Sequence, residues 1–279
     1  MLEVAGTRLL GEADRADVER FLAADPVAGC LIATRVEAGA LEPRRLGAEI
    51  WGYGGAPLDA LCLSGANLVP LGDSPAALTG FADRALAQGR RCSSIVGDRA
   101  AVDPLWELLE PDWGPAREVR RGQPLLAISA PPRVAPDPAV RRVRLAELDL
   151  VLPACVAMFT EEVGVSPLGS DRGRGYRGRV RELIAGGRAF ARIEDGEVLF
   201  KAELGAVSTR ACQVQGVWVH PERRGQGLGM AGTAAVVAAA LRSVAPVVSL
   251  YVNAHNEPAR RAYARVGFAR LGTFTSVLF

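Results

Sequence analysis

Residues 217–241 read VWVHPERRGQGLGMAGTAAVVAAAL, Val217 to Leu241, and the fold turns on how they are read. A short apolar strand runs into two arginines and a cluster of glycines, then into a helix rich in alanine and valine. Glycine weakens regular structure, so several ahead of a helix mark a place where backbone N–H groups approach something closely. The first N–H groups of a helix have no partner inside it, and the macrodipole is positive at that end. Gly225, Gly227 and Gly229 let the main chain come near a ligand, while Arg223 and Arg224 offer charge-assisted bonds to oxyanions. Together they predict a phosphate or pyrophosphate site. The plainer alternative is a flexible turn capping an alanine-rich helix.

Two phosphate-binding patterns fit poorly. Gly227-x-Gly229-x-x-Gly232 matches the dinucleotide fingerprint as text, but the strand ends near Val219, too far ahead of the first glycine. The next strand, ending LYVNAHN, closes without the acidic residue that would hold a ribose. The P-loop Gly-Lys-Ser/Thr is missing as well. The spacing that fits is Val-x-Pro-x-x-Arg-x-x-Gly-x-Gly, at Val219, Pro221, Arg224, Gly227 and Gly229, followed after a further strand by Asn256, Tyr263 and the run RVGF. On these paired motifs the region from about Arg141 to Phe279 resembles the GNAT superfamily of acyl-CoA-dependent N-acyltransferases.

Proline-rich SAPPRVAPDPAVRR, Ser129 to Arg142, removes backbone donors and predicts an extended connector. It divides the chain into residues 1–129, a linker at 130–139 and residues 140–279, each half of ordinary domain size. The second half reads as a short strand and a helix (RRVRLAELDLVLPACVAMFTEEVG), a helix (YRGRVRELIAGG) and a hairpin turning at Asp195-Gly196. The strand ACQVQGVWVHP and the glycine turn follow, then the strand VVSLYVNA, a helix with Asn256 as N-cap, and a final strand. In the first half, AEIWGYGG, ALCLSGANLVPLG, RCSSIVG and PLLAIS read as strands, with helices at SPAALTGFADRALAQG and AAVDPLWELLE. The late order strand–helix–strand–helix–strand thus occurs twice, once without a glycine loop. We therefore expect an α/β fold of two GNAT-like domains in tandem, each a mostly antiparallel splayed sheet flanked by helices. The first is degenerate and shapes the acceptor cleft. The Pro-linked arrangement with MFTEEVGVSP looks like a bacterial group of tandem GNAT-type proteins.

Composition narrows the classes. Hydrophobic residues at 49% and charged residues at 23% are globular values, and a net charge of +2 gives no reason to invoke nucleic acid. Lys201 is the only lysine. Five scattered cysteines without a C-x-x-C pair suit reduced, buried thiols and predict no metal. No apolar window reaches membrane-span length and no signal pattern opens the chain, so a cytoplasmic protein without membrane partners is expected. The segment Asp171 to Arg181, DRGRGYRGRVR, has the composition of an RNA contact, but reads better as an acceptor-side loop.

The resemblance carries roles onto particular residues. The main chain of Val217, Trp218 and Val219 would hydrogen-bond the pantetheine arm of acetyl-CoA, and its pyrophosphate would sit on the N–H groups of Gly225, Gln226, Gly227, Leu228, Gly229 and Met230, with Arg224 at the head of the loop. Tyr263 matches the family's general acid, with Asn256 two turns away facing the same sulfur; helix capping and packing are their structural alternatives. Many family members carry a glutamate at the positions of Gln213 or Gln215, neither of which can take a proton. Glu161 and Glu162 are the candidate bases, with Glu203 behind them, and His220 reads as a turn residue. The expected reaction is direct transfer of an acetyl or other acyl group to a primary amine, of a small molecule or a protein, in a ternary complex. An acyl-CoA sensor without turnover is the first alternative, and a dinucleotide-dependent oxidoreductase the second.

Overall fold

Asp195 and Gly196 both take left-handed backbone conformations, φ 49° and 78°, which matches the hairpin turn whose twist suits the flanking strands. The computed structural model of the chain in which they are seen describes residues 6–39, 41–169 and 173–279. The chain forms two compact units that alternate along the sequence. One comprises Met1–Leu126, Tyr251–His255 and Arg270–Phe279; the other comprises Ala127–Leu250 and Asn256–Ala269.

The first unit begins with β1 (Thr7–Leu9), α1 (Arg15–Ala24), α2 (Cys30–Ala38) and α3 (Pro43–Leu46). Next come β2 (Glu49–Tyr53), β3 (Ala60–Ser64), β4 (Asn67–Leu71), α4 (Pro75–Gln88), β5 (Ser94–Asp98), α5 (Arg99–Trp113) and β6 (Glu118–Ile128). The run ALCLSGANLVPLG, read as one strand, is two: β3 and β4 pair antiparallel, with Leu63 opposite Val69. Ser64, Gly65 and Asn67 supply the turn chemistry that makes the break. Trp51, Phe81 and Trp106 are fully buried where α4 and α5 pack on the sheet.

The second unit holds β7 (Arg141–Arg142), α6 (Leu148–Val163), α7 (Arg174–Ala185), β8 (Ala189–Glu194), β9 (Glu197–Val207) and β10 (Cys212–Val219). It continues with α8 (Leu228–Ser243), β11 (Val248–Tyr251) and α9 (Glu257–Val266). β7 to β10 run antiparallel, while β10 and β11 run parallel with α8 as their crossover. The last strand, β12 (Ala269–Leu278), lies against β5 of the first unit, Phe274 opposite Asp98 and Leu278 opposite Ser94.

The proline-rich connector has no helix or strand over 129–140, yet it is not loose. Arg133 N–H donates to the carbonyl of Val266 at 2.8 Å and Asp137 N–H to that of Ala231 at 3.0 Å. Asp137, 8% exposed, also receives Arg192 at 2.9 Å. Among the described residues no helix is long and apolar enough to cross a membrane.

Candidate active site

β10 and β11 pair over two positions only, Cys212 with Val248 and Gln213 with Ser249. Over 214–219 the β10 edge facing β11 makes no further pair with it among the described residues. Two irregularities help it turn away. The register with β9 shifts between Gln213 and Val214 and again between Gln215 and Trp218, where Gly216 adopts φ 56°. Such a bulge bends a strand and raises its local twist.

Past Val219 the chain makes a single 3-10 turn, Pro221–Arg223, and reaches α8 through Gly225 (φ 77°) and Gly227 (φ 86°). Gly227 occupies the cap position without a side chain to satisfy the helix. Among the described residues no hydrogen bond leaves the N–H groups of residues 225 to 229. Met230 N–H donates to the carbonyl of Gly227 at 3.1 Å, so the free row ends one residue before the sequence suggests. A side chain on Gly225 or Gly227 would meet nothing within 4 Å; both are required by backbone conformation, not by crowding. Gly232 differs: a Cβ there would stand 2.7 Å from the Phe200 ring. The third glycine of the apparent dinucleotide pattern is thus a packing glycine, bringing α8 down onto β9.

The two arginines have separated roles. Arg224 donates from Nη2 to Glu161 at 2.8 Å and from Nε to the carbonyl of Val219 at 3.1 Å, while Trp218 Nε1 donates to the other oxygen of Glu161 at 3.4 Å. Arg223 is exposed and its guanidinium has no acid partner among the described residues. Glu161, a candidate base, is therefore held by two donors. Asn256 does act as a cap, its Oδ1 accepting from Ala259 N–H at 3.2 Å. Tyr263 is 7% exposed, with its ring edge-on to Phe268. Burial pushes its phenol above the ordinary value, and the Glu162 carboxylate adds to the shift. It is therefore a proton carrier at neutral pH, as a general acid must be.

Gln213 and Gln215 are bonded to each other, Nε2 of Gln215 to Oε1 of Gln213, at 2.7 Å. Directly across from Gln215, on β9, lies Glu203, and cross-strand partners share a face of the sheet. Glu203 accepts from Lys201 Nζ at 3.1 Å, and both side chains are largely buried under α6. Nothing in the sequence signals this buried ion pair beyond the singularity of the lysine. His220 caps the 3-10 turn and stacks edge-on with Trp218, in line with its reading as a turn residue.

The first unit repeats the topology without the site. β4 and β5 also pair parallel over two positions, Asn67 with Ser94 and Leu68 with Ile95. A Cβ on Gly97 would come within 3.3 Å of the Pro70 carbonyl, so these strands stay together where β10 and β11 part. Only Gly72, Asp73 and Ser74 lead into α4, whose first residue is Pro75. A proline has no N–H to offer an anion, and Asp73 repels one.

Residues 171–268 match the model of the Acetyltransferase (GNAT) family, and residues 48–151 match one described as a domain of unknown function (DUF4081). The chain matches no curated protein. Among solved structures it is similar to an acetyltransferase from the GNAT family from Colwellia psychrerythraea, at 13% identity and TM-score 0.55, covering 98% of this chain and 99% of that one. A tandem GNAT protein from the clavulanic acid biosynthesis pathway aligns at 16% identity and TM-score 0.52, over 98% of each chain. A Drosophila protein aligns at 14% identity and TM-score 0.67, over 99% of each. Residues 171–268 accordingly match a GNAT-family acetyltransferase domain, in a chain whose fold is that of tandem GNAT proteins. The uncharacterised model spans most of the first half and runs through the connector into α6.

Proposed function

We propose that the second unit transfers an acetyl group from acetyl-CoA to a primary amine by direct attack in a ternary complex. The observation that carries this reading is the row of unbonded N–H groups at residues 225–229, at the mouth of the gap that β10 opens on β11. Diphosphate oxygens need several converging donors, and a positive helix end supplies them without reorganisation. The unpaired edge of Val217, Trp218 and Val219 suits the amides of a pantetheine arm, and acetyl-CoA supplies the activated acyl group when bound there. Tyr263, protonated at neutral pH, carries the proton that goes to the leaving thiolate. Glu162 stands near it, and Asn256 fixes the start of α9. The first unit, with closed strands and a prolyl helix start, is non-catalytic.

One observation favours a second reading. The glutamines on β10 bond each other and Glu161 is tied to Arg224, which would suit a protein that holds an acyl-CoA without turning it over. Calorimetry with acetyl-CoA, CoA and NAD tests the ligand class; the reading requires the first two to bind and NAD not to. Thiol release across a panel of small amines and lysine peptides, repeated with Tyr263→Phe, then separates enzyme from sensor. Binding without release for any amine would support the sensor.

A further inference from the structure

Among the 33 Lys and Arg residues of the chain, Lys201 is the only lysine, and it is 3% exposed. Its Nζ lies 3.1 Å from Glu203 Oε2 and 3.8 Å from Cys155 Sγ. It also lies 3.0 Å from the point where Gly216 would carry a Cβ, beside Met158 Cε. Since Gly216 has no side chain, the amine is in contact with the bulge of β10 itself. Lys201, Glu203 and Cys155 line a small cavity on that face with Leu183 and Phe190.

The Glu203 carboxylate, 3.1 Å from Nζ, stands where it can take the proton that the amine must lose before it attacks a thioester. Arginine cannot lose that proton, because its guanidinium stays charged.

We propose that Lys201 is an internal acyl acceptor, modified by a short-chain acyl-CoA thioester bound along β10. This rests on the acetyl-CoA site proposed for β10 and the glycine turn. Nζ, having passed one proton to Glu203, attacks the thioester carbonyl carbon. An N–C bond forms, the C–S bond breaks with its electron pair going to sulfur, and the second Nζ proton ends on the departing thiol. The products are an Nε-acyl-lysine, a neutral Glu203 carboxyl and free CoA, so no lone charge is left buried.

The test incubates the full-length chain with acetyl-CoA and follows intact mass and peptide mapping, with calorimetry in parallel. We expect one acetyl group per chain on the peptide carrying residue 201, none in Lys201→Arg, and incorporation about a hundredfold slower in Glu203→Gln. The folded chain should react faster than the same chain in urea. Because localisation on the unsubstituted chain decides the matter, a folding failure of Lys201→Arg leaves the test intact. Acetyl-CoA binding with no acetyl at Lys201, or equal reaction of the unfolded chain, overturns the proposal while sparing the proposed function. Absence of acetyl-CoA binding overturns both.

Discussion

Arg224 joins α6 to the end of β10 through one guanidinium, 2.8 Å from Glu161 on one side and 3.1 Å from the Val219 carbonyl on the other. Both partners of the ion pair are about half exposed, 49% and 48%, so solvent screens it and it contributes little to stability. Arg224→Ala should shift the unfolding free energy by less than about 1 kcal/mol. Its acetyl-CoA affinity should drop about tenfold, as is usual for a lost hydrogen bond to a charged group. Glu161→Gln frees the same guanidinium, and calorimetry should find affinity equal to or tighter than that of the unsubstituted chain. Weaker binding in that variant would assign Glu161 a part in holding the ligand.

Gly227 stands at φ 86° with open space around its α-carbon. A valine there meets no neighbour but must adopt a left-handed conformation that β-branched residues avoid, at a cost of about 1–3 kcal/mol. Gly227→Val should therefore remain folded by circular dichroism, with a lowered melting temperature, and lose acetyl-CoA binding. Retained affinity would place the diphosphate elsewhere.

Tyr263 makes a pH prediction. Its folded-state phenol titrates above the ordinary value of 10.0, so the folded chain keeps a proton that the unfolded chain releases near that pH. Stability from this group is full below pH 10 and declines as pH rises beyond it. In thiol-release assays no descending limb from a phenol should appear below pH 10. Tyr263→Phe should lower kcat about a hundredfold while leaving the affinity for acetyl-CoA in place.

Glu147 predicts the opposite behaviour in acid. Hydrogen bonds from the guanidinium groups of Arg141 and Arg144, joined by Arg144 N–H, hold its carboxyl far below the ordinary 4.5. The folded state therefore prefers the ionised form, and the contribution is present above pH 4.5 and fades as pH falls below it. Glu147→Gln should lower stability at neutral pH by about 1–3 kcal/mol. Its melting temperature should depend less on pH between 4.5 and 2 than that of the unsubstituted chain.

What could be read from the residues followed from local chemistry. The hairpin at Asp195-Gly196, the glycine turn, the Asn256 cap and the order of elements after Arg141 each have a signature within a few residues, and the structure agrees with them. Features that depend on distant partners were invisible. α1, α2 and α3 were not expected, although Val18 and Leu22 of α1, four residues apart and both buried, carry the helical spacing. Nothing in the sequence of β9 says that α6 covers Lys201, and nothing in Arg224 announces Glu161 as its partner. The glutamines at 213 and 215 were legible as absent bases, whereas the carboxylate opposite them required the register of β9 on β10.

The position of β12 beside β5 also bears on biosynthesis. A nascent chain leaving the ribosome carries the first unit with one strand missing and a β5 edge unprotected until the closing residues emerge. The usual order, in which the domain encoded first folds first, is thereby denied to this protein. A stop codon just ahead of residue 270 would damage the half translated earliest.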